Sequence, residues 1–132
     1  MDLNQVTVPC TDYAASVAFY TRLGLTQIVD SPPRYARFET PSGATFSIHA
    51  VANVPVDSGV VVYFEVPDVD ATVAEISERG LEFEIAPVDQ DWRWREAYLR
   101  DPAGTRICIY HAGDMRRFPP WRVPTTTDGS AE

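Results

Sequence analysis

The sequence predicts an α+β fold made of two copies of one βαβββ module. Three observations carry this. The order strand, helix, three strands is readable twice, identities recur at a fixed offset, and 132 residues with 45% hydrophobic content suffice for one shared core. An offset of 56 aligns Asp12 with Asp68, Ala15 with Ala71, Val17 with Val73, Ala18 with Ala74, Gly24 with Gly80 and Leu25 with Leu81. An offset of 61 aligns Pro41 with Pro102 and Gly43 with Gly104. About five residues therefore enter the second copy between helix and hairpin, and their composition places them within Pro87–Trp94 as a candidate lid.

In chain order, Leu3–Pro9 alternates polar and apolar residues and reads as a strand ending at Pro9. Thr11 or Asp12 caps a helix to Leu23, where Val17, Tyr20 and Leu23 share a stripe and Gly24 supplies the left-handed end. Strands follow at Thr26–Asp30, Tyr35–Glu39 after Pro32-Pro33, and Thr45–Val51 after Pro41-Ser42-Gly43. The second copy opens with Val60–Val66, then a helix capped by Asp68 with Val69, Val73 and Ile76 on one stripe. The division expected is one domain over 1–112, with modules at about 3–51 and 60–112, followed by an arm and tail over 113–132. The run Thr125-Thr126-Thr127-Asp128-Gly129-Ser130 lacks the apolar residues to pack, so fraying is expected past about Val123.

Nineteen acidic against eleven basic side chains give a net charge of -8, which repels phosphate backbones and anionic membranes and argues against nucleic acid as a partner. Cys10 and Cys108 are too few for a disulfide framework and lack zinc-site spacing, so a reduced, cytoplasmic setting is expected. The start Met1-Asp2-Leu3-Asn4-Gln5 is neither basic nor followed by an apolar segment, so secretion is not expected. The longest apolar run, Val60–Phe64, is far short of the roughly 20 residues needed to span a bilayer.

Three stretches carry a family resemblance: Ala18-Phe19-Tyr20-Thr21-Arg22-Leu23-Gly24-Leu25, Phe64-Glu65-Val66-Pro67-Asp68-Val69-Asp70-Ala71, and Arg100-Asp101-Pro102-Ala103-Gly104-Thr105. With the duplication they make the chain, over about Leu3–His111, resemble the glyoxalase, bleomycin resistance protein and extradiol dioxygenase superfamily, the vicinal oxygen chelate proteins. The resemblance implies curled mixed sheets around a cavity. It also implies a homodimer in which sheets of two chains complete each cavity. Metal-using members place His, Gln or Glu ligands on the first and last strands of each half, and the two offsets carry those positions onto Gln5, Ser47, Val61 and Cys108. Val61 offers no donor and Ser47 a poor one, so no metal and no other cofactor is expected.

Strand alternation puts Ser47 and His49 on one face, Tyr63 with Val61, and Cys108 with Tyr110. His49 is the candidate acid–base or ligand-contacting group, with Tyr63 and Tyr110 as candidate catalytic or pocket phenols. Gln5, Thr7, Arg37, Ser47 and Cys108 are candidate ligand contacts. His111 has the opposite parity and reads as surface. In Asp89–Glu96, Trp92, Trp94 and Arg95 either clamp an aromatic or anionic ligand or form a loop whose arginines pair with Asp89, Asp91 and Glu96. Phe118 and Trp121 suit an arm packed on its own domain or on a sister subunit.

The leading expectation is a metal-independent protein that binds, or acts as a lyase or isomerase on, a carbonyl or aromatic metabolite. One alternative is a metal-dependent glyoxalase- or dioxygenase-like enzyme that recruits His49. The other is a drug-sequestering resistance protein.

Overall fold

The computed structural model describes residues 1–124 of the chain. The first module comprises β1 (Gln5–Cys10), α1 (Tyr13–Leu23), β2 (Thr26–Ser31), β3 (Tyr35–Glu39) and β4 (Thr45–Ala50). The second repeats it with β5 (Val61–Glu65), α2 (Val69–Glu78), β6 (Ile85–Asp89), β7 (Arg95–Arg100) and β8 (Arg106–His111). Each module forms a four-stranded sheet, in the orders β1-β4-β3-β2 and β5-β8-β7-β6. The first strand pairs parallel with the last, and the other pairings are antiparallel. The helix that crosses over makes the parallel pairing possible, as strand, crossover and parallel strand require.

Both helices begin by the same device, since Asp12 and Asp68 accept hydrogen bonds from the backbone N–H groups of Ala15 and Ala71 at 3.1 and 3.0 Å. Gly24 closes α1 with φ 119, a left-handed conformation that a side chain resists. The expected first strand, Leu3–Pro9, starts instead at Gln5 and continues through Pro9 to Cys10. As an edge strand paired only with β4, β1 tolerates the missing N–H of proline.

The expectation of a lid at Pro87–Trp94 needs correcting. Pro87 to Asp89 belong to β6, which carries a register shift between Ile85 and Val88. The hairpin tip Gln90–Trp94 then replaces the shorter turn Pro32–Arg34 of the first module. Gln90 donates to the Trp94 carbonyl at 2.8 Å and Arg93 sits at φ 68, so the added residues make a bulge and a longer hairpin instead of a separate flap.

Alternate residues of each sheet turn toward the helices. In the first these are Val8, Cys10, Ala36, Phe38, Phe46 and Ile48, which meet Phe19, Tyr20 and Leu23 of α1. Leu99, Ile107 and Ile109 of the second sheet and Ile76 of α2 join the same continuous core. The two modules touch directly. Phe46 and Phe64 lie 5.8 Å apart between ring centroids, and the Tyr20 hydroxyl donates to Asp101 at 2.6 Å. Asp101 also accepts from the amides of Ala103 and Thr105, which fixes the hairpin between β7 and β8.

Past β8 the arm turns back on the second sheet. The Trp94 indole donates to the Met115 carbonyl at 3.3 Å, and the Arg93 guanidinium lies 5.8 Å from the Trp121 ring centroid. Phe118 and Trp121 remain about half exposed. The run Thr125–Ser130, expected to fray, lies outside the described residues.

Candidate functional site

Because both core-facing sides meet in one core, the other side of each sheet stays open. On the first sheet this open side carries Gln5 and Thr7 from β1, Tyr35 and Arg37 from β3, and Thr45, Ser47 and His49 from β4, as the register requires. Most of these groups are linked. The Gln5 amide donates to Ser47 Oγ at 2.9 Å and to Thr7 Oγ1 at 3.2 Å, while Thr45 donates to the Gln5 carbonyl oxygen. Ser47, fully buried, shares a 2.7 Å hydrogen bond with the Tyr35 hydroxyl, which also accepts from Arg37 Nε at 2.7 Å. The Ser47 contact, with Arg37 adding to it against the effect of burial, lowers the Tyr35 phenol below its ordinary pKa. His49 shares this face but stands exposed at the strand end, opposite Tyr35.

The open side of the second sheet is aromatic. Trp94 stacks on Tyr110 at 4.8 Å between centroids, and Tyr63 meets both edge-on, at 5.4 Å to Tyr110 and 6.0 Å to Trp94. On the same face lie Cys108, Tyr98 and Glu96. Burial, then the charge of Glu96, pushes the Cys108 thiol up to about 12, so it is a packed neutral thiol and a poor nucleophile at neutral pH. Burial, then Glu65, raises Tyr110 likewise to about 12.

Glu96 was read from the sequence only as an ion-pair partner for loop arginines. In the fold it is 1% exposed, with Oε2 accepting from the Trp92 indole at 3.0 Å and Oε1 from the Tyr98 hydroxyl at 2.7 Å. Tyr35, Tyr98 and Arg106, whose guanidinium covers the Tyr98 ring at 4.7 Å, were not singled out either. The offset of 61 was the available signal, because it carries Tyr35 onto Glu96 and Arg37 onto Tyr98.

Arg95 does not join this group. It has the parity of Ala97 and Leu99, points to the helix side, and pairs with Asp70 at 3.0 Å and Asp89 at 2.9 Å, the salt-bridged alternative of the sequence reading. His111 also has helix-side parity. It is exposed, with Nδ1 2.8 Å from the Val66 carbonyl.

The four positions that correspond to metal ligands do not make a metal site. Gln5 and Ser47 are engaged with each other, Val61 has no donor atom, and the Cys108 thiol is held neutral. Among the described residues no three His, Cys, Asp or Glu side chains converge as a metal would need. This donor set does not fit a divalent oxygen-activating or Lewis-acid ion.

Two sheets with a common core and chemically distinct open faces define a paired-module α+β protein. The family model for the glyoxalase/bleomycin resistance protein/dioxygenase superfamily matches residues 2–109, and the chain belongs to this superfamily. A curated relative, the anthracycline biosynthesis protein DnrV of Streptomyces peucetius, is 30% identical over 122 residues, 79% of this chain and 44% of that protein. The chain thus spans less than half of that relative's length. A glyoxalase/bleomycin resistance protein/dioxygenase from Nocardioides superposes with a TM-score of 0.76 at 24% identity, covering 94% of this chain and 90% of that one. A bleomycin-binding protein solved with bleomycin gives 0.70 at 20% identity, covering 84% and 98%. These likenesses show the fold. No described helix is long and apolar enough to cross a membrane.

Proposed function

We propose that the chain binds a small aromatic or carbonyl-bearing molecule without a metal, as a homodimer in which the open face of one copy's first sheet meets that of its partner's second. The observation that carries this is the wall of Trp94, Tyr110 and Tyr63, with Tyr63 44% exposed. Aromatic surface left open beside ordered polar groups is the usual composition of a ligand pocket. Opposite it in such a dimer, Arg37, Tyr35 and Gln5 supply donors for a carbonyl or carboxylate, and His49 is the imidazole on that face to move a proton. Within one chain both open faces point away from the shared core, which supports a second copy as the opposite wall of each cavity. A reducing, cytoplasmic setting goes with two buried free thiols.

Sequestration of a drug is the second reading, supported by the net charge of -8, which favours cationic ligands, and by the fold shared with the bleomycin-binding protein.

Titration of tryptophan fluorescence with naphthaldehyde tests the binding. Saturable quenching is expected, with Trp94→Ala costing about 1–3 kcal/mol of affinity. Affinity indifferent to that substitution rejects the wall. Affinity that vanishes with chelator and returns with one divalent metal rejects metal independence. A monomeric mass by sedimentation, with probe bound, rejects the shared cavity.

A further inference from the structure

We propose that Glu96 is the recognition point for a protonated amine on the ligand, so that the binding site selects cationic aromatic molecules over neutral ones of the same shape. This rests on the aromatic wall of the preceding section and adds the charge of its occupant. The Glu96 carboxylate is 1% exposed, yet among the described residues no cation lies within ion-pair distance of it. Buried carboxylates ordinarily have a cationic partner, because desolvating a lone charge is costly. Both donors it receives, the Trp92 indole and the Tyr98 hydroxyl, are neutral, and each takes one oxygen, which leaves lone pairs on both.

The two nearby guanidiniums are turned elsewhere. Arg95 is held on the helix side by Asp70 and Asp89. Arg106, on the open face, lies over the Tyr98 ring, and its Nε is buried without a partner. Among the described residues Glu96 is thus a buried carboxyl group without a cationic partner.

Geometry supplies the rest of the site. Glu96 pairs across the sheet with Tyr110, whose ring stacks on Trp94, so an ammonium on the carboxylate lies beside aromatic faces that attract cations. The cover is Trp92, 45% exposed, on the hairpin tip Gln90–Trp94 outside the regular strands. Its indole is the donor on Oε2, so an ammonium reaches that oxygen in exchange for one hydrogen bond.

Calorimetric titration of the full chain with naphthylmethylamine and with naphthalenemethanol tests this, because the two differ in charge and hardly in shape. The amine is expected to bind at least tenfold tighter, and to keep that preference at high salt, as a buried contact does and a long-range surface field does not. Glu96→Gln is expected to bring the amine down to the level of the alcohol. Equal binding of both probes by the unmodified protein overturns the proposal and leaves the aromatic wall standing. A preference that salt abolishes, or that survives Glu96→Gln, also overturns it by assigning selection to the overall acidity. Binding of neither probe rejects the wall and this inference together. The comparison in unmodified protein decides the matter even if Glu96→Gln does not fold.

Discussion

Around β4 of the first sheet the open face presents Gln5, Tyr35, Arg37 and Ser47; at the same registers around β8 the second sheet presents Val61, Glu96, Tyr98 and Cys108. On the side toward the helices the same comparison gives near equivalents: Ala36 and Ala97, Phe38 and Leu99, Phe46 and Ile107, Ile48 and Ile109. The core face accepts any apolar side chain of about the right volume, so a duplicated module keeps that character while its members change. The open face has no such requirement. One copy carries a hydroxyl, amide and guanidinium network, and the other an aromatic wall over a buried carboxylate. Ligand chemistry thus resides where the halves differ, and fold where they agree.

The largest effect expected on this comparison comes from its shared part. Phe38→Ala and Leu99→Ala each remove a fully buried side chain from the common core and are expected to cost about 2–5 kcal/mol. Thermal unfolding of each variant is expected to remain a single transition, because the core is continuous across modules. Two separated transitions break the claim of one core.

A smaller loss is expected where the modules are joined by a polar contact. Tyr20→Phe removes the hydroxyl that Asp101 accepts at 2.6 Å, leaving that buried carboxylate with two amide donors. A cost of about 1–3 kcal/mol in urea denaturation is expected. An unchanged midpoint shows the bond to be dispensable.

Ser47→Ala sharpens the contrast between open faces. It removes the hydrogen bond that chiefly lowers the Tyr35 phenol, so that phenol is expected to ionise at higher pH, at a stability cost of about 0.5–1.5 kcal/mol. Ultraviolet titration of the tyrosines reads this against Tyr98, which burial and Glu96 hold above the ordinary range. A titration curve identical to that of the unmodified protein removes Ser47 as the cause.

The smallest effect belongs to Glu65. Burial raises its pKa, but the amides of Ala112 and Gly113, with His111 and Arg116, outweigh burial and leave it below the ordinary carboxylate value. A depressed folded pKa means that the unfolded chain binds the proton more readily. The contribution is present above about pH 4.3 and is lost as pH falls through the folded value. Glu65→Gln is accordingly expected to destabilise slightly at neutral pH and to flatten the acid limb of the stability curve. An acid limb unchanged in Glu65→Gln places the titration elsewhere.

Much of this was legible in the residues themselves. The capping aspartates, the glycine that ends α1, alternation along each strand and the double offset together specify the elements, because each is a local requirement of backbone geometry. The same alternation put Gln5, Ser47, Tyr63, Cys108 and Tyr110 on open faces. For Arg95 the sequence leaves a clamp and a salt-bridged loop open, because its neighbours are Trp92 and Trp94 as well as acids; its parity on β7 directs it to Asp70, a residue distant in sequence. Glu96 is hidden for the complementary reason: among arginines in sequence it looks like half of an ion pair.

What the chain determined alone, then, is the pair of modules and which side of each strand is apolar, since hydrophobic periodicity and turn chemistry act over a few residues. The tertiary structure alone decided that both apolar sides meet in one core and the open faces look outward. It also decided that Glu96 is buried with neutral donors and, among the described residues, no cation. Burial and charge pairing depend on which distant strands become neighbours, and no local pattern encodes that.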